Sequence, residues 1–362
     1  MEPHRILLTG NPGTEDIIAA EALEEIPGSR VVWEKRGYGR VLIEAERSSP
    51  QLLGESLYNM RSIHAGILVL VDDIISKSRE GLEQIRSLVL DSGIERLLTY
   101  GATFAVRAER AGEGHDYTSM DIARVVGDAV IAASEERLGW RPEVRLNSPA
   151  IVVYAEVIEE EFRLGILLTG ERSRHRRRYR LYDHPAALKP TLAYSMLRIS
   201  GAKDGDTILD PMCGGGTIAI EAALLFPGSE VICLDKNPYH IDGARLNARA
   251  ARVESRIRFI VGDARELDKI LGEASVDIVV SNPPYGIRLG DPGGIRRLYR
   301  DFLPSLARTL KPGGTATLIT TEADYLLSLT KTVTPRLSVS HIRKVRHGDL
   351  WASIIKLHRR EA

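Results

Sequence analysis

Three acids and one proline-stiffened loop are the residues whose types and spacing could do chemistry. Thr207-Ile208-Leu209-Asp210 reads as a short strand that runs into Pro211-Met212-Cys213-Gly214-Gly215-Gly216-Thr217. Glycines in such a strand-to-helix turn let the backbone pass close to a ligand, and the helix N-terminus presents free amide groups. Asp235 ends the next strand, roughly 20 residues on, the spacing at which an acid accepts from ribose hydroxyls. Asp263 ends the strand after that, followed by Ala264. One acid after each of three consecutive strands would line the carboxyl edge of a parallel sheet, where open α/β folds bind ligands. The fourth strand runs into Ser281-Asn282-Pro283-Pro284-Tyr285-Gly286.

No Gly-x-Gly-x-x-Gly follows the first strand, and Asp210 would repel a pyrophosphate. An acid there suits a cationic ligand carrying an ammonium group, of which S-adenosylmethionine is the common one. The charge argument therefore favours methyl transfer over hydride transfer. In the fourth segment, two prolines stiffen the chain and remove backbone donors. The remaining carbonyls and the Asn282 amide oxygen form a fixed acceptor set for both hydrogens of a planar exocyclic amine, with Tyr285 as a stacking face. A guanine amine is a poor nucleophile, so acceptors that aim its lone pair would help by positioning and electrostatics.

The elements that must hold these residues are legible in outline. From Thr207 onward strands alternate with helices, the pattern of a parallel sheet. Strands are expected at 207–210, 230–234, 257–261, 276–281 and 315–320, with helices at 217–225 and 238–252. Two closing strands, 337–345 and 351–357, flank Gly348-Asp349. Tyr299 and Phe302, at helical spacing, read as core, with Arg288 and Arg300 nearby as open questions. Residues 1–70 read β-α-β-β-α-β, a ferredoxin-like split unit. Residues 71–170 hold helices at 78–90 and 119–137 and strands at 103–107, 151–158 and 162–168. Between these regions and the last one lies Arg172-Ser173-Arg174-His175-Arg176-Arg177-Arg178-Tyr179-Arg180, six arginines among nine residues with no acid. Guanidinium groups match phosphate geometry, so the run reads as a phosphate-contacting hinge.

Composition bounds the rest. The 362 residues carry 49 basic and 49 acidic side chains, a net charge of zero, and are 43% hydrophobic, which excludes a disordered or collagen-like chain. Two cysteines, Cys213 and Cys233, argue against a disulfide framework and for a reducing, cytoplasmic home. Cys213 is expected to pack beside the ligand rather than act as a nucleophile. The nine histidines lack ligand spacing, so no metal is expected. The start has no basic n-region before a long apolar stretch, and the longest apolar run, 65–71, is far short of a membrane span.

On these motifs, residues 191–357 resemble a class I S-adenosylmethionine-dependent methyltransferase with an Asn-Pro-Pro-Tyr amine motif. Residues of about 70–170, with Phe104-Ala105-Val106-Arg107 and His115-x-Tyr117-x-Ser119-x-Asp121-Ile122-Ala123, resemble a THUMP RNA-binding domain. Together they are similar to the THUMP-containing tRNA guanine-N2 methyltransferases. The resemblance implies a ferredoxin-like domain at 1–70, a THUMP domain at 71–170, an arginine-rich linker at 171–190 and a seven-stranded Rossmann-like catalytic domain at 191–362. It implies S-adenosylmethionine bordered by Asp210, Gly214 and Gly216, with Asp235 on the ribose, Asp263 and Ala264 at the adenine, and Thr191 near the cofactor carboxylate. Asn282, which also borders the cofactor, Pro283 and Tyr285 would hold the base. Arg107 and Arg172, Arg174, Arg176, Arg177, Arg178 and Arg180 would contact tRNA, whose 3′ end the THUMP domain takes. The Asn-Pro-Pro-Tyr form leans toward acceptor-stem position 6. Alternatives are the position 10 mono- or dimethyltransferases, an rRNA guanine-N2 methyltransferase and a noncatalytic RNA-binding protein. Glutamine-N5 methylation of a protein uses a similar motif but a helical companion domain. Oligomeric state is not legible.

Overall fold

The computed structural model describes residues 3–46, 50–184, 186–284 and 292–361. Its contacts divide the chain into two units. One holds residues 1–9, 18–35 and 40–174; the other holds 10–17, 36–39 and 175–362.

The first unit begins with β1 (His4–Gly10), α1 (Glu15–Glu25), β2 (Arg30–Lys35), β3 (Arg40–Ala45), α2 (Pro50–Asn59) and β4 (Ile63–Ile74). Then come α3 (Glu80–Asp91), β5 (Thr103–Ala111), α4 (Ser119–Leu138), β6 (Glu143–Val144), β7 (Ile151–Ile158) and β8 (Glu161–Leu167). All eight strands form one sheet, in the order β2-β3-β1-β4-β8-β7-β5-β6. A boundary at 70/71 therefore falls inside β4, which pairs with β8 from Ile67 to Ile74. The split β-α-β-β-α-β unit is present, but the sheet runs through it without a break. Asp72 stays in the ladder, where Arg5 (2.6 Å) and Arg163 (3.0 Å) neutralise it. Helix α4 starts where Thr118 and Asp121 close a reciprocal capping box. Its buried Ile122, Val126, Ala129 and Val130 pack with Phe104, Val153 and Phe162.

The second unit contains α5 (Pro190–Ser200), β9 (Thr207–Asp210), α6 (Thr217–Leu225), β10 (Glu230–Asp235), α7 (Pro238–Ala250), β11 (Ile257–Val261), α8 (Leu267–Leu271) and β12 (Val276–Ser281). It ends with α9 (Pro292–Thr309), β13 (Leu310–Thr320), α10 (Ala323–Thr332), β14 (Leu337–His347) and β15 (Leu350–Arg359). Its seven strands run β11-β10-β9-β12-β13-β15-β14, parallel except for β15, which is antiparallel to both neighbours. Helices α5, α6 and α7 cover one face, and α8, α9 and α10 the other. The strand order reverses between β9 and β12, the switch point at which such sheets open a crevice. Tyr299 and Phe302 of α9 are fully buried, and the Tyr299 hydroxyl donates to Thr320 Oγ1 at 2.8 Å. They are core residues. Along β14, the segment 10–17 of this unit caps the edge: Arg346 N donates to Pro12 O, and Arg343 pairs with Asp16. Gly13 is obligatory there, since a Cβ would lie 2.2 Å from Lys344 O.

Candidate functional site

The ends of β9 and β12 meet at the switch point. Asp210 is 2% exposed, and its Oδ1 accepts from Ser281 Oγ (2.9 Å) and Met212 N (3.3 Å). Burial pushes its carboxyl up to about 7, partly offset by those two hydrogen bonds. One strand over, Asp235 Oδ2 accepts from Gly214 N and Oδ1 from Asn237 N, both at 2.9 Å, so it shapes the glycine loop. Gly216 caps α6 at φ 77°, and a Cβ on it would stand 2.9 Å from that of Ala244. Asp263 accepts from Arg265 N at 2.9 Å and pairs with the Arg265 guanidinium at 2.6 Å, which holds it below the usual carboxylate range. Ala264 behind it is buried.

Asn282 follows directly from Ser281. Its Nδ2 donates to Ala186 O at 3.2 Å, while its buried Oδ1 has no hydrogen-bond partner among the described residues. The tether decides which way the amide faces and leaves an acceptor aimed away from it. Pro283 is buried beside it. Tyr285 and Arg288 lie outside the described residues. Thr191 is buried in the first turn of α5, and its hydroxyl donates to Asn11 Oδ1 at 3.2 Å.

A strap that the motifs did not mark lies over the glycine loop. Leu181 N and Tyr182 N both donate to Asn247 Oδ1 at 2.8 Å, and Asn247 Nδ2 donates to Tyr182 O and Gly215 O at 2.9 Å. Every hydrogen-bonding position of that buried amide is used. A Cβ on Gly214 would touch the His184 ring at 3.4 Å, so the strap closes directly on the loop. His184 packs edge-on to His240, centroids 4.5 Å apart, and His240 Nδ1 lies 3.3 Å from Asp235. The sequence did carry one sign of this clasp. Asn247 falls on the inward face of α7 with Ile241, Ala244 and Ala248, where a polar residue needs partners.

The arginine run does not act as a unit. Arg177 is 9% exposed and pairs with the fully buried Glu221, to which Tyr179 also donates. That corrects the expectation of a phosphate contact at Arg177: alternate residues of the run turn inward. Arg174 stacks on Tyr58 at 3.8 Å and donates to its carbonyl. Arg180 pairs with Asp183 at 2.5 Å, and Arg107 with Glu171. Arg172, Arg176 and Arg178 are exposed. The cysteine expectation is also corrected. Cys213 N donates to Leu234 O, which brings the loop alongside β10, and Cys213 and Cys233 form a disulfide with Cα atoms 5.7 Å apart. Cys213 therefore holds no free thiol. Among the described residues no group of three His, Cys, Asp or Glu could hold a metal, and no helix is long and apolar enough to cross a membrane.

A parallel sheet with a glycine loop, three edge acids and an amide-bearing loop at the switch point defines a class I methyltransferase unit. Comparison with known proteins agrees: residues 177–353 match the "RMKL-like, methyltransferase domain" family and residues 80–167 the THUMP domain family. A tRNA (guanine(6)-N2)-methyltransferase of Archaeoglobus fulgidus is 34% identical over 97% of this chain and 91% of its own length. One from Thermus thermophilus is 34% identical over 97% and 98%. The crystal structure of TrmN from Thermus thermophilus superposes with a TM-score of 0.81 at 30% identity, covering 98% of this chain and 99% of that one. The chain belongs to the THUMP-containing tRNA guanine-N2 methyltransferase family.

Proposed function

We propose that this protein transfers a methyl group from S-adenosylmethionine to the exocyclic N2 of a guanosine in tRNA, at acceptor-stem position 6. The observation that carries the reading is Asn282: a tethered amide whose buried Oδ1 lacks a partner. Buried acceptors are rarely left so, and an amine hydrogen of the target base satisfies this one. The names of the relatives support guanine-N2 of position 6.

S-adenosylmethionine, when bound, supplies an electrophilic methyl group. The donor set fits it, because a buried carboxylate at Asp210 calls for a cation. Asp210 would face its ammonium, Asp235 its ribose, and Asp263 with Ala264 its adenine once Arg265 yields. Gly214 and Gly216 keep the floor of the site open to it. The strap residues Tyr182 and His184 exclude water from above the loop.

Asn282 Oδ1 takes one hydrogen of the guanine amine, and the carbonyls around Pro283 take the other. Holding both hydrogens in the amine plane turns the nitrogen lone pair toward the methyl donor. Tyr285 would stack on the base, which must leave its helix to reach the pocket, at about a few kcal/mol. The alkylated nitrogen then loses a proton to water, and no strong base is required. Arg107, Arg172, Arg176, Arg178 and Arg180 are the proposed phosphate contacts, with the tRNA 3′ end on the THUMP domain. Cytoplasmic location follows from that substrate.

The test is incubation of wild type and Asn282→Ala with labelled S-adenosylmethionine and bulk tRNA, then mapping of methylated nucleosides. Label should appear as N2-methylguanosine at position 6 and fall about 10²-fold or more in the variant. Label at position 10, or none on tRNA, overturns the assignment.

A further inference from the structure

We propose that the tip of the β14–β15 hairpin, with Lys344, Arg346 and Trp351, is an RNA-gripping element of the catalytic unit. It would hold the strand that flanks the target guanosine. The inference rests on the reading above that RNA is the substrate, but it assigns residues that neither the motifs nor the arginine run include.

Register places the tip. Ser281 lies level with Leu318 of β13, which pairs with Ile355 of β15 and, through it, with Ile342 of β14. Lys344 and its partner Ser353 are two rows further toward the carboxyl edge, and the Arg346–Trp351 pair is four rows further. At ~3.3 Å per residue and ~4.8 Å between strands, Arg346 and Trp351 stand ~13 Å above Ser281, Trp351 ~10 Å and Arg346 ~14 Å to its side. The hairpin thus rises beside the mouth of the Asn282 site.

Alternation sets what the tip presents. Lys344, Arg346, Trp351 and Ser353 share one face of the hairpin, opposite the buried Val345 and Ala352. Lys344 and Arg346 are exposed, and Trp351 is 53% exposed. Among the described residues the side chains of Lys344 and Trp351 make no hydrogen bond or ion pair, and Arg346 donates to Gly348 O at 3.3 Å. Trp351 thus keeps about half of its surface in water beside two cations. It matches a groove where phosphates meet cations and an unstacked base or ribose covers an aromatic face.

The surroundings are poor in compensating acid. From Leu337 to Gly348 the strand holds no Asp or Glu; Asp16 takes up Arg343 and Asp349 follows in the turn, which leaves Lys344 and Arg346 without a paired acid among the described residues. Behind the tip, burial and the neighbouring Arg346 lower the Lys189 ammonium, against a smaller opposing effect of Asp349. Burial and Lys189 lower His347 in turn. Asp349 in the turn offsets only part of the repulsion between Arg346 and Lys189, and a phosphate backbone would relieve the rest.

The experiment compares wild type with Lys344→Ser/Arg346→Ser and with Trp351→Ala, using direct tRNA binding across a salt series. Each protein is checked by its melting temperature and by its affinity for S-adenosylmethionine, which the tip does not touch. The double variant should bind tRNA about tenfold more weakly, with the log–log salt slope reduced by about 2, one for each lost phosphate contact. Trp351→Ala should weaken binding several-fold with the salt slope unchanged, since stacking releases no counterions. Salt slopes and affinities equal to wild type in all variants overturn the proposal. Displacement of tRNA from the tip by polyglutamate as effectively as by competing tRNA also overturns it, in favour of an acidic protein partner. Wild type that binds tRNA but never methylates it sinks the guanosine reading, while the binding comparison still decides the role of the tip.

Discussion

Asp210 holds a carboxylate that is 2% exposed, and among the described residues Ser281 Oγ and Met212 N soften the cost. Its pKa of about 7, against 3.8 for an ordinary Asp, means the folded state binds the proton more tightly than the unfolded state. Stability therefore declines as pH rises from about 4 through about 7, and the full penalty, about 4 kcal/mol, is present above that. Asp210→Asn carries no charge and escapes the penalty. The variant should melt several degrees above wild type at pH 8, and the gap should shrink to less than half at pH 5, as followed by thermal denaturation. A gap of equal size at both values would rule out ionisation as the cause. The same substitution should weaken S-adenosylmethionine at least tenfold, because the cation then loses its counter-charge. For wild type, calorimetry should show affinity rising with pH through about 7.

Between elements, the strap over the glycine loop shows why part of the site was legible and part was not. Strands 207–210, 257–261 and 276–281 and helix 217–225 follow from apolar runs closed by turn residues, and the structure places them at those bounds. Local chemistry suffices there, since Asp210 ends one strand and Asn282 directly follows another. The strap has no such pattern. Leu181 and Tyr182 gain their position from Asn247, more than 60 positions away, through three hydrogen bonds that no window of sequence contains, and a fourth ties the same amide to Gly215. Asn247→Asp is the sharp test. A carboxylate oxygen in place of Nδ2 would face the carbonyls of Tyr182 and Gly215, which repel it. KM for S-adenosylmethionine should rise about tenfold or more, and Asn247→Ala, which leaves polar groups unpaired without adding charge, should cost less. Equal KM values for both variants and wild type would mean the strap does not bear on the cofactor.

For the whole molecule, a net charge of zero would suggest indifference to a polyanion, yet the sum hides how the charges are used. Many acids are consumed in pairs: Glu156 is fully buried between Arg40 and Arg163, and the partly buried Asp72 pairs with Arg5 and Arg163. Such pairs fix strand against strand and contribute nothing to an outer field. Arg172, Arg176 and Arg178, and Lys344 and Arg346 on the β14–β15 hairpin, are exposed and have no acid partner among the described residues. Burial sorts the arginine run in the same way, and that sorting can be measured. Arg177→Ser strands the buried Glu221 carboxylate and should cost about 3–5 kcal/mol of stability. Arg176→Ser/Arg178→Ser should leave the melting temperature unchanged and lower the tRNA salt slope by about 2. If Arg176, Arg178, Lys344 and Arg346 contact separate phosphates, replacing all four should lower the slope by about 4, since distant independent sites add. A quadruple variant whose slope falls no further than either pair's would mean the two groups share the same phosphates, and the tRNA path across the catalytic unit would be narrower than the charge distribution implies.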